Sequence, residues 1–225
     1  MECLILLTRL KKQKKRAEQP EKTMVEFLSK GGVLVIPILL CSVFALAIFL
    51  ERIIVFARMR SRGRGIDRKV AELILARKDE EAKQAAMDSD SPMGRVLARA
   101  IEVKHAERQT LETILVNAID REVQALSSYI QTLATIGNIA PLLGLLGTVM
   151  GMIKAFMVIQ QMGGKVNAAV LAGGIWEAML TTAIGLAVAL PTMVAHSYLV
   201  ARVDKYEAGL QNGAVAFIKA ISNGG

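Results

Sequence analysis

The stretch that decides the fold is residues 134–200, ATIGNIAPLLGLLGTVMGMIKAFMVIQQMGGKVNAAVLAGGIWEAMLTTAIGLAVALPTMVAHSYLV. It consists of two apolar arms joined by the short polar turn QQMGGKVN at residues 160–167. About 20 apolar residues cross the hydrocarbon core of a bilayer as an α-helix, so each arm is long enough to span a membrane. The stretch therefore predicts a transmembrane hairpin.

One acidic residue, Glu177, interrupts the second arm. From Ala168 to Ser197 no other side chain is normally charged at neutral pH. A carboxylate at bilayer depth costs about 2.5–3.5 kcal/mol on insertion scales, and such residues are usually functional. We therefore predict that Glu177 accepts and releases protons. The alternative is a protonated Glu177 that only donates a hydrogen bond to a neighbouring helix.

The composition indicates a membrane protein. Apolar residues make up 53% of the chain and aromatic residues 4%, with 18 glycines, a balance typical of closely packed membrane helices. The net charge is +8, but no basic stripe is interleaved with aromatic residues, which argues against a nucleic-acid partner. The two cysteines have no disulfide or metal-binding spacing. No phosphate loop, HExxH or GxSxG motif is present, so we predict neither an enzyme nor a cofactor or metal.

A further apolar run, VLVIPILLCSVFALAIFL at residues 33–50, predicts the first membrane span. Lys and Arg concentrate on the cytoplasmic side of a span, and a basic cluster follows this run at Arg58, Arg60, Arg62, Arg64, Arg68 and Lys69. With a start at Met24, this asymmetry predicts a periplasmic N-terminus and a cytoplasmic C-terminus. Residues 1–23 carry seven Lys or Arg and three Glu, and including them nearly cancels the asymmetry. We interpret them as a solvated tail, an extension or a misassigned start.

Residues 57–132 are polar with helical periodicity and predict a cytoplasmic helical domain. Ser91-Pro92 reads as an N-cap followed by proline at the first helical position. No breaker separates the apolar positions that begin at Leu111 from the second span, so one helix from about Thr110 to about Gln160 is expected. The complete predicted division is a tail and periplasmic start at 1–32, spans at 33–56, 133–160 and 168–200, a periplasmic turn at 161–167, and a cytoplasmic tail at 201–225.

Small residues recur at steps of three and four along both arms of the hairpin. Such rows let helix backbones approach closely, and we predict helix packing at Gly144, Gly147, Gly151, Gly174, Ala178 and Gly185. Counting outward from Gly163-Gly164 places Thr148 and Glu177 at similar depth, with Thr181 and Thr182 further toward the cytoplasm. Hydroxyls that bond back to their own helix are the alternative interpretation of these threonines.

Two motifs, PLLGLLGTVMGMIKAF at 141–156 and EAMLTTAIGLAVALP at 177–191, closely resemble the MotA/TolQ/ExbB proton-channel family, in its ExbB/TolQ branch. The resemblance implies a pentameric ring in the bacterial inner membrane around a dimer of a single-span ExbD/TolR-like partner. It matches Glu177 to the family's pore glutamate and Thr148 and Thr182 to its pore threonines. Thr181 is an additional candidate in the proton pathway. His196-Ser197 departs from the aromatic-Asn pair expected there.

The resemblance implies a motor subunit that uses the proton gradient to energise a TonB-like or TolA-like transducer. The TonB-linked task is outer-membrane transport, and the TolA-linked task is envelope integrity and division. Two other readings stay open: a scaffold ring without ion flow, and a channel that conducts without a partner. Lys154 is predicted to extend toward the outer membrane surface, with a gating role as the minor alternative, and His196 to be a wetted interface residue or a proton relay.

Overall fold

The computed structural model describes residues 33–63, 65–162 and 168–224, and within these ranges every regular element is an α-helix. The helices are α1 Val35–Arg62, α2 Ile66–Leu75, α3 Asp79–Asp88, α4 Pro92–Glu102, α5 Arg108–Ser127, α6 Ile130–Gln161 and α7 Ala168–Gly224. Residues 1–32 lie outside the described residues, and with them the predicted periplasmic start and the choice of Met24. The turn around Gly163-Gly164 also lies outside them.

Three helices are long and apolar enough to cross a membrane. The candidate spans are Val35–Met59 in α1, Ile130–Gln161 in α6 and Leu171–Ser222 in α7. Large apolar side chains on them, such as Phe44 and Leu142, are exposed, which is the surface that a lipid-facing helix presents. A helix also satisfies its own backbone polar groups, as the hydrocarbon core demands. The prediction of an all-helical chain with three long apolar helices is confirmed.

The described residues form two compact units. The hairpin unit contains residues 33–44, 136–162 and 168–192, and the helical unit contains residues 45–63, 65–135 and 193–224. The core of the helical unit consists of buried apolar side chains from α2–α5 and from the C-terminal part of α7, with Val70, Val96 and Phe217 among the most deeply buried. The predicted start of α4 is confirmed, because the Ser91 hydroxyl accepts a hydrogen bond from the Gly94 backbone N–H at 3.1 Å.

Residues 201–224, which the sequence analysis treated as a tail, are helical and belong to this core. They continue α7, and they bury Leu210, Ala214, Phe217 and Ala220. These positions recur at steps of three and four residues, so they share one face of the helix. The periodicity was readable from the sequence, but these apolar positions are few and lie beyond residue 200, where the predicted third span ends.

The expectation of one continuous helix from about Thr110 to Gln160 is wrong. α5 ends at Ser127, and α6 begins at Ile130. Between them, Ser128 adopts an extended ψ of 142°, and Tyr129 has a left-handed φ of 63°. A non-glycine residue at positive φ is strained, so contacts elsewhere must stabilise the break.

Arg52 supplies those contacts from α1. Its guanidinium donates hydrogen bonds to the Leu126 carbonyl oxygen at 3.4 Å and to Ser128 Oγ at 2.9 Å, and it lies 5.1 Å from the centre of the Tyr129 ring. The last carbonyls of a helix lack partners within the helix and attract cations. Arg52 is only 5% exposed, whereas its partners Ser128 and Tyr129 are exposed. The Nε atom of Arg52 also lies 3.6 Å from Glu51 Oε2.

We expect Arg52→Met to destabilise the helical unit by about 2 kcal/mol, because the buried Leu126 carbonyl loses its cationic partner. The measurement is denaturant unfolding of the purified chain in detergent. Arg58→Met is the matched control, since Arg58 is exposed on the same helix, and its effect should stay within about 0.5 kcal/mol. Equal stability of the two variants would show that Arg52 does not support the break.

A charged hydrogen-bonded pair links α4 to α5. Arg95 donates from Nε to Glu122 Oε1 at 2.8 Å and from Nη2 to Glu122 Oε2 at 2.6 Å. The hydrogen bond to Glu122 raises the pKa of the Arg95 guanidinium, and partial burial opposes this rise. Two parallel bonds fix the relative orientation of both side chains, so the pair sets the alignment of α4 on α5.

Candidate functional site

The predicted glycine rows lie at the contact between α6 and α7 in the hairpin unit. A Cβ atom added at Gly151 would lie 3.0 Å from Ala178 Cβ, and one added at Gly144 would lie 3.0 Å from Thr182 Cα. At Gly147 an added Cβ would lie 2.6 Å from Thr181 Cβ. Because no real Cβ could occupy these places without a shift, the absence of side chains permits the helix spacing observed here.

The close contact between α6 and α7 continues toward both ends of the two helices. An added Cβ at Gly174 would meet Ala155 Cβ at 2.6 Å, and one at Gly185 would meet the Ala140 carbonyl oxygen at 2.7 Å. All six positions predicted for helix packing therefore lie along one seam between the two helices. This tight seam fixes the register in which α6 presents its side chains to α7.

Glu177 projects from α7 beside this seam and pairs with a residue of α6. Its Oε1 lies 3.6 Å from Lys154 Nζ. The side chain of Glu177 is 32% exposed and that of Lys154 is 57% exposed. The candidate proton-carrying group is therefore held in an ion pair within the hairpin unit.

The three threonines predicted for the proton pathway all donate to backbone carbonyls. Thr148 Oγ1 donates to the Leu145 carbonyl at 2.6 Å, and Thr181 Oγ1 donates to the Glu177 carbonyl at 2.9 Å. These are bonds within one helix, as the alternative interpretation expected. Thr182 differs, because its Oγ1 donates across the seam to the Gly144 carbonyl at 2.8 Å.

The register of the seam shifts Thr148 relative to Glu177. Gly147 lies opposite Thr181, and Gly151 lies opposite Ala178. Thr148 is therefore close to the level of Thr181, and about 6 Å along the helix axis from Glu177 at 1.5 Å per residue. The expectation of similar depth for Thr148 and Glu177 is wrong by about one turn, because counting from an assumed turn centre cannot fix the register of two packed helices.

Lys154 was predicted to extend toward the outer membrane surface, with a gating role as the minor alternative, and its pairing with Glu177 was not predicted. The same register places Lys154 about 3 Å from Glu177 along the helix axis. An extended lysine side chain is longer than this axial separation, so the ammonium group of Lys154 can reach the Glu177 carboxylate. The sequence shows one opposite charge in each arm, but Lys154 lies nine residues before Gly163 and Glu177 thirteen residues after Gly164, so counting from the turn does not predict the pair.

The remaining candidates lie elsewhere. His196 is partly buried on α7, within the helical unit. Among the described residues no three His, Cys, Asp or Glu side chains come together in a group that could hold a metal ion. Among the described residues of the hairpin unit, the groups that bear a charge or a labile proton include the Glu177 carboxylate, the Lys154 ammonium group, the threonine hydroxyls and the Cys41 thiol.

Comparison with known proteins identifies a family model and several relatives that are similar to this chain. Residues 88–212 match the model of the MotA/TolQ/ExbB proton channel family. A putative biopolymer transport protein ExbB-like 1 of Synechocystis sp. is 34% identical over 190 residues, which cover 81% of this chain and 72% of that protein. The biopolymer transport protein ExbB of Salmonella typhimurium is 42% identical over 96 residues, covering 41% of this chain and 39% of that protein. The Tol-Pal system protein TolQ of Haemophilus influenzae is 40% identical over 91 residues, covering 40% and 39%.

Proposed function

Because this chain belongs to the MotA/TolQ/ExbB proton channel family, we propose that it is the proton-conducting subunit of an ExbB–ExbD-like motor in the bacterial inner membrane. Its fold is that of a multi-pass membrane channel protein rather than an enzyme. The motor would use the proton gradient to energise a TonB-like transducer for outer-membrane transport. The TolQ-like alternative has the same channel chemistry and a TolA-like transducer.

The observation that carries this proposal is the environment of Glu177. It is an acid on an apolar helix, beside a seam of small residues that leaves little free space between α6 and α7. The hairpin unit offers no second carboxylate among its described residues to receive a proton from it. A relay therefore needs an acid from another chain, which fits a single-span ExbD/TolR-like partner with its own intramembrane carboxyl.

The assembly that we propose follows from this need. Copies of the chain form a ring, a pentamer in the family pattern, and a dimer of the partner lies in the central pore. Glu177 of each copy faces the pore, with Thr148, Thr181 and Thr182 along the proton pathway. The basic cluster that follows α1 supports a cytoplasmic position for that end, with the N-terminus in the periplasm and the C-terminus in the cytoplasm.

The test is proton flux in vesicles reconstituted with the purified chain and its ExbD/TolR-like partner. We expect an imposed pH gradient to collapse, followed by an internal pH-sensitive dye, only when both proteins are present. A sodium gradient should not be dissipated under the same conditions. Native mass spectrometry of the same preparation should give five copies of the chain with two of the partner.

Three results would contradict the proposal. Flux from the chain without the partner would identify a self-sufficient channel. An assembled complex without flux would identify a scaffold ring. Flux carried by sodium would replace the proton as the coupling ion. Copurification of a TonB-like rather than a TolA-like transducer would support the transport branch, and the reverse result would assign the chain to envelope maintenance.

A further inference from the structure

The ion pair between Lys154 Nζ and Glu177 Oε1 joins an ammonium group of α6 to the carboxylate of α7 that is proposed to carry protons. We infer that Lys154 is a built-in counter-ion, which occupies the Glu177 carboxylate in the resting state and is displaced when a proton arrives. This inference rests on the proposed function, in which Glu177 carries protons. It adds a residue of α6 that regulates the proton-carrying group of α7.

Within the described residues of the hairpin unit, 33–44, 136–162 and 168–192, Lys154 and Glu177 are the charged side chains. The described part of α1 in this unit contributes no acid, base or histidine, and its titratable group is the thiol of Cys41. Each of the two therefore has the other as its charged partner in this part of the structure, at 3.6 Å.

The geometry also allows the pair to separate. Lys154 Nζ and Glu177 Oε1 lie 3.6 Å apart, beyond hydrogen-bond distance, and 57% of the lysine side chain is exposed. A flexible four-carbon stem can move the ammonium group away without any change in the helix seam. An exposed, non-hydrogen-bonded partner is suited to reversible displacement, whereas a buried and fully bonded one would lock the carboxylate.

Protonation of Glu177 changes the net charge of the pair. A proton from the pathway bonds to Glu177 Oε1, and the carboxylate becomes a neutral carboxylic acid. Lys154 keeps its positive charge, so the net charge of the pair rises from zero to +1. The unpaired ammonium group is then free to attract an approaching carboxylate, and loss of the proton from Glu177 restores the pair.

The experiment measures how readily Glu177 is labelled by dicyclohexylcarbodiimide, which reacts with protonated carboxyl groups in membranes. The assembled complex is used at neutral pH, and labelling is followed by mass spectrometry. Removing the ammonium group in Lys154→Met should increase the labelling rate of Glu177 about tenfold or more, because the carboxyl group is no longer occupied by its counter-ion. Lys154→Arg keeps the charge and should label like the unmodified protein.

Lys205→Met is the matched control, since Lys205 is exposed on α7 in the helical unit, and it should leave the rate unchanged. Equal labelling of Lys154→Met and the unmodified complex would overturn the inference. So would an equal increase in Lys154→Met and Lys154→Arg, because it would reveal a role in packing rather than charge. If Glu177→Gln abolishes flux while labelling is indifferent to Lys154, the proposed function stands and the counter-ion role fails. If Glu177→Gln still conducts, the proposed function fails, whatever the labelling shows.

Discussion

Glu177→Gln is expected to reduce proton flux and gradient-driven work by about a hundredfold or more, the loss typical when a proton-transferring side chain is removed. Glutamine has nearly the same shape, but it cannot take up and release a proton at neutral pH. The substitution leaves the seam unchanged, because the Glu177 backbone carbonyl still accepts the hydrogen bond from Thr181 Oγ1. The loss should therefore be functional, with assembly and stability intact.

The measurement combines dye-reported flux in vesicles with the amount of intact complex recovered by size-exclusion chromatography. Glu177→Asp keeps the carboxyl group on a shorter stem and should retain partial flux. Glu207→Gln is the matched control on the same helix; Glu207 accepts a hydrogen bond from Gln211, which a glutamine oxygen can also accept. Normal flux in an assembled Glu177→Gln complex would exclude the proton-relay role.

The substitution Glu177→Gln also removes the charged partner of Lys154, and a second variant separates this effect from the loss of the acid. Glu177→Gln leaves Lys154 without the carboxylate that lies 3.6 Å away, so an unpaired ammonium group could itself block the pathway. The double substitution Glu177→Gln with Lys154→Met removes both charges. We expect it to stay inactive, because no acid is left to carry the proton. Restored flux in the double variant would mean that the unpaired lysine caused the loss.

Gly147→Val should have the largest effect on stability in the hairpin unit, a loss of about 3 kcal/mol, at the upper end of the usual cost of overpacking. An added Cβ at Gly147 would lie 2.6 Å from Thr181 Cβ, and Thr181 is itself only 2% exposed. Neither side chain has room to move, so the helices must separate. A wider seam would also alter the register that aligns Lys154 with Glu177.

The measurement is denaturant unfolding in detergent, together with the yield of assembled complex. Gly173→Val is the matched control, because Gly173 lies on α7 with no neighbouring atom within 4 Å of an added Cβ. It should be neutral or slightly stabilising, since valine is a better helix former than glycine. Thr181→Ala should partly rescue Gly147→Val by removing the opposing atoms. Equal losses from Gly147→Val and Gly173→Val would indicate that the seam is not what limits stability.

Much of the fold was predictable because a membrane restricts the choice of structure. Apolar runs of sufficient length must form helices in lipid, so α1, α6 and α7 could be read directly. The start of α4 was also predictable, because Ser91-Pro92 satisfies local rules of helix capping. Each of these features depends on neighbouring residues alone.

The break between α5 and α6 could not be predicted in this way. Neither Ser128 nor Tyr129 is a helix breaker, and the left-handed Tyr129 has no local cause in the sequence. Its support comes from Arg52, which is 76 positions away from Ser128 in the chain. A contact between residues so far apart exists only after the helices have packed.

The sequence by itself determined that this protein has three long apolar helices, and that an acid lies among the small residues of one of them. Only the tertiary structure decided which side chains meet across the hairpin. The seam aligns α6 and α7 through close approach of glycine backbones, and that register brings Lys154 to Glu177 and Thr182 to Gly144. Helical periodicity defines the faces of one helix, whereas the axial alignment of two helices depends on how their surfaces fit.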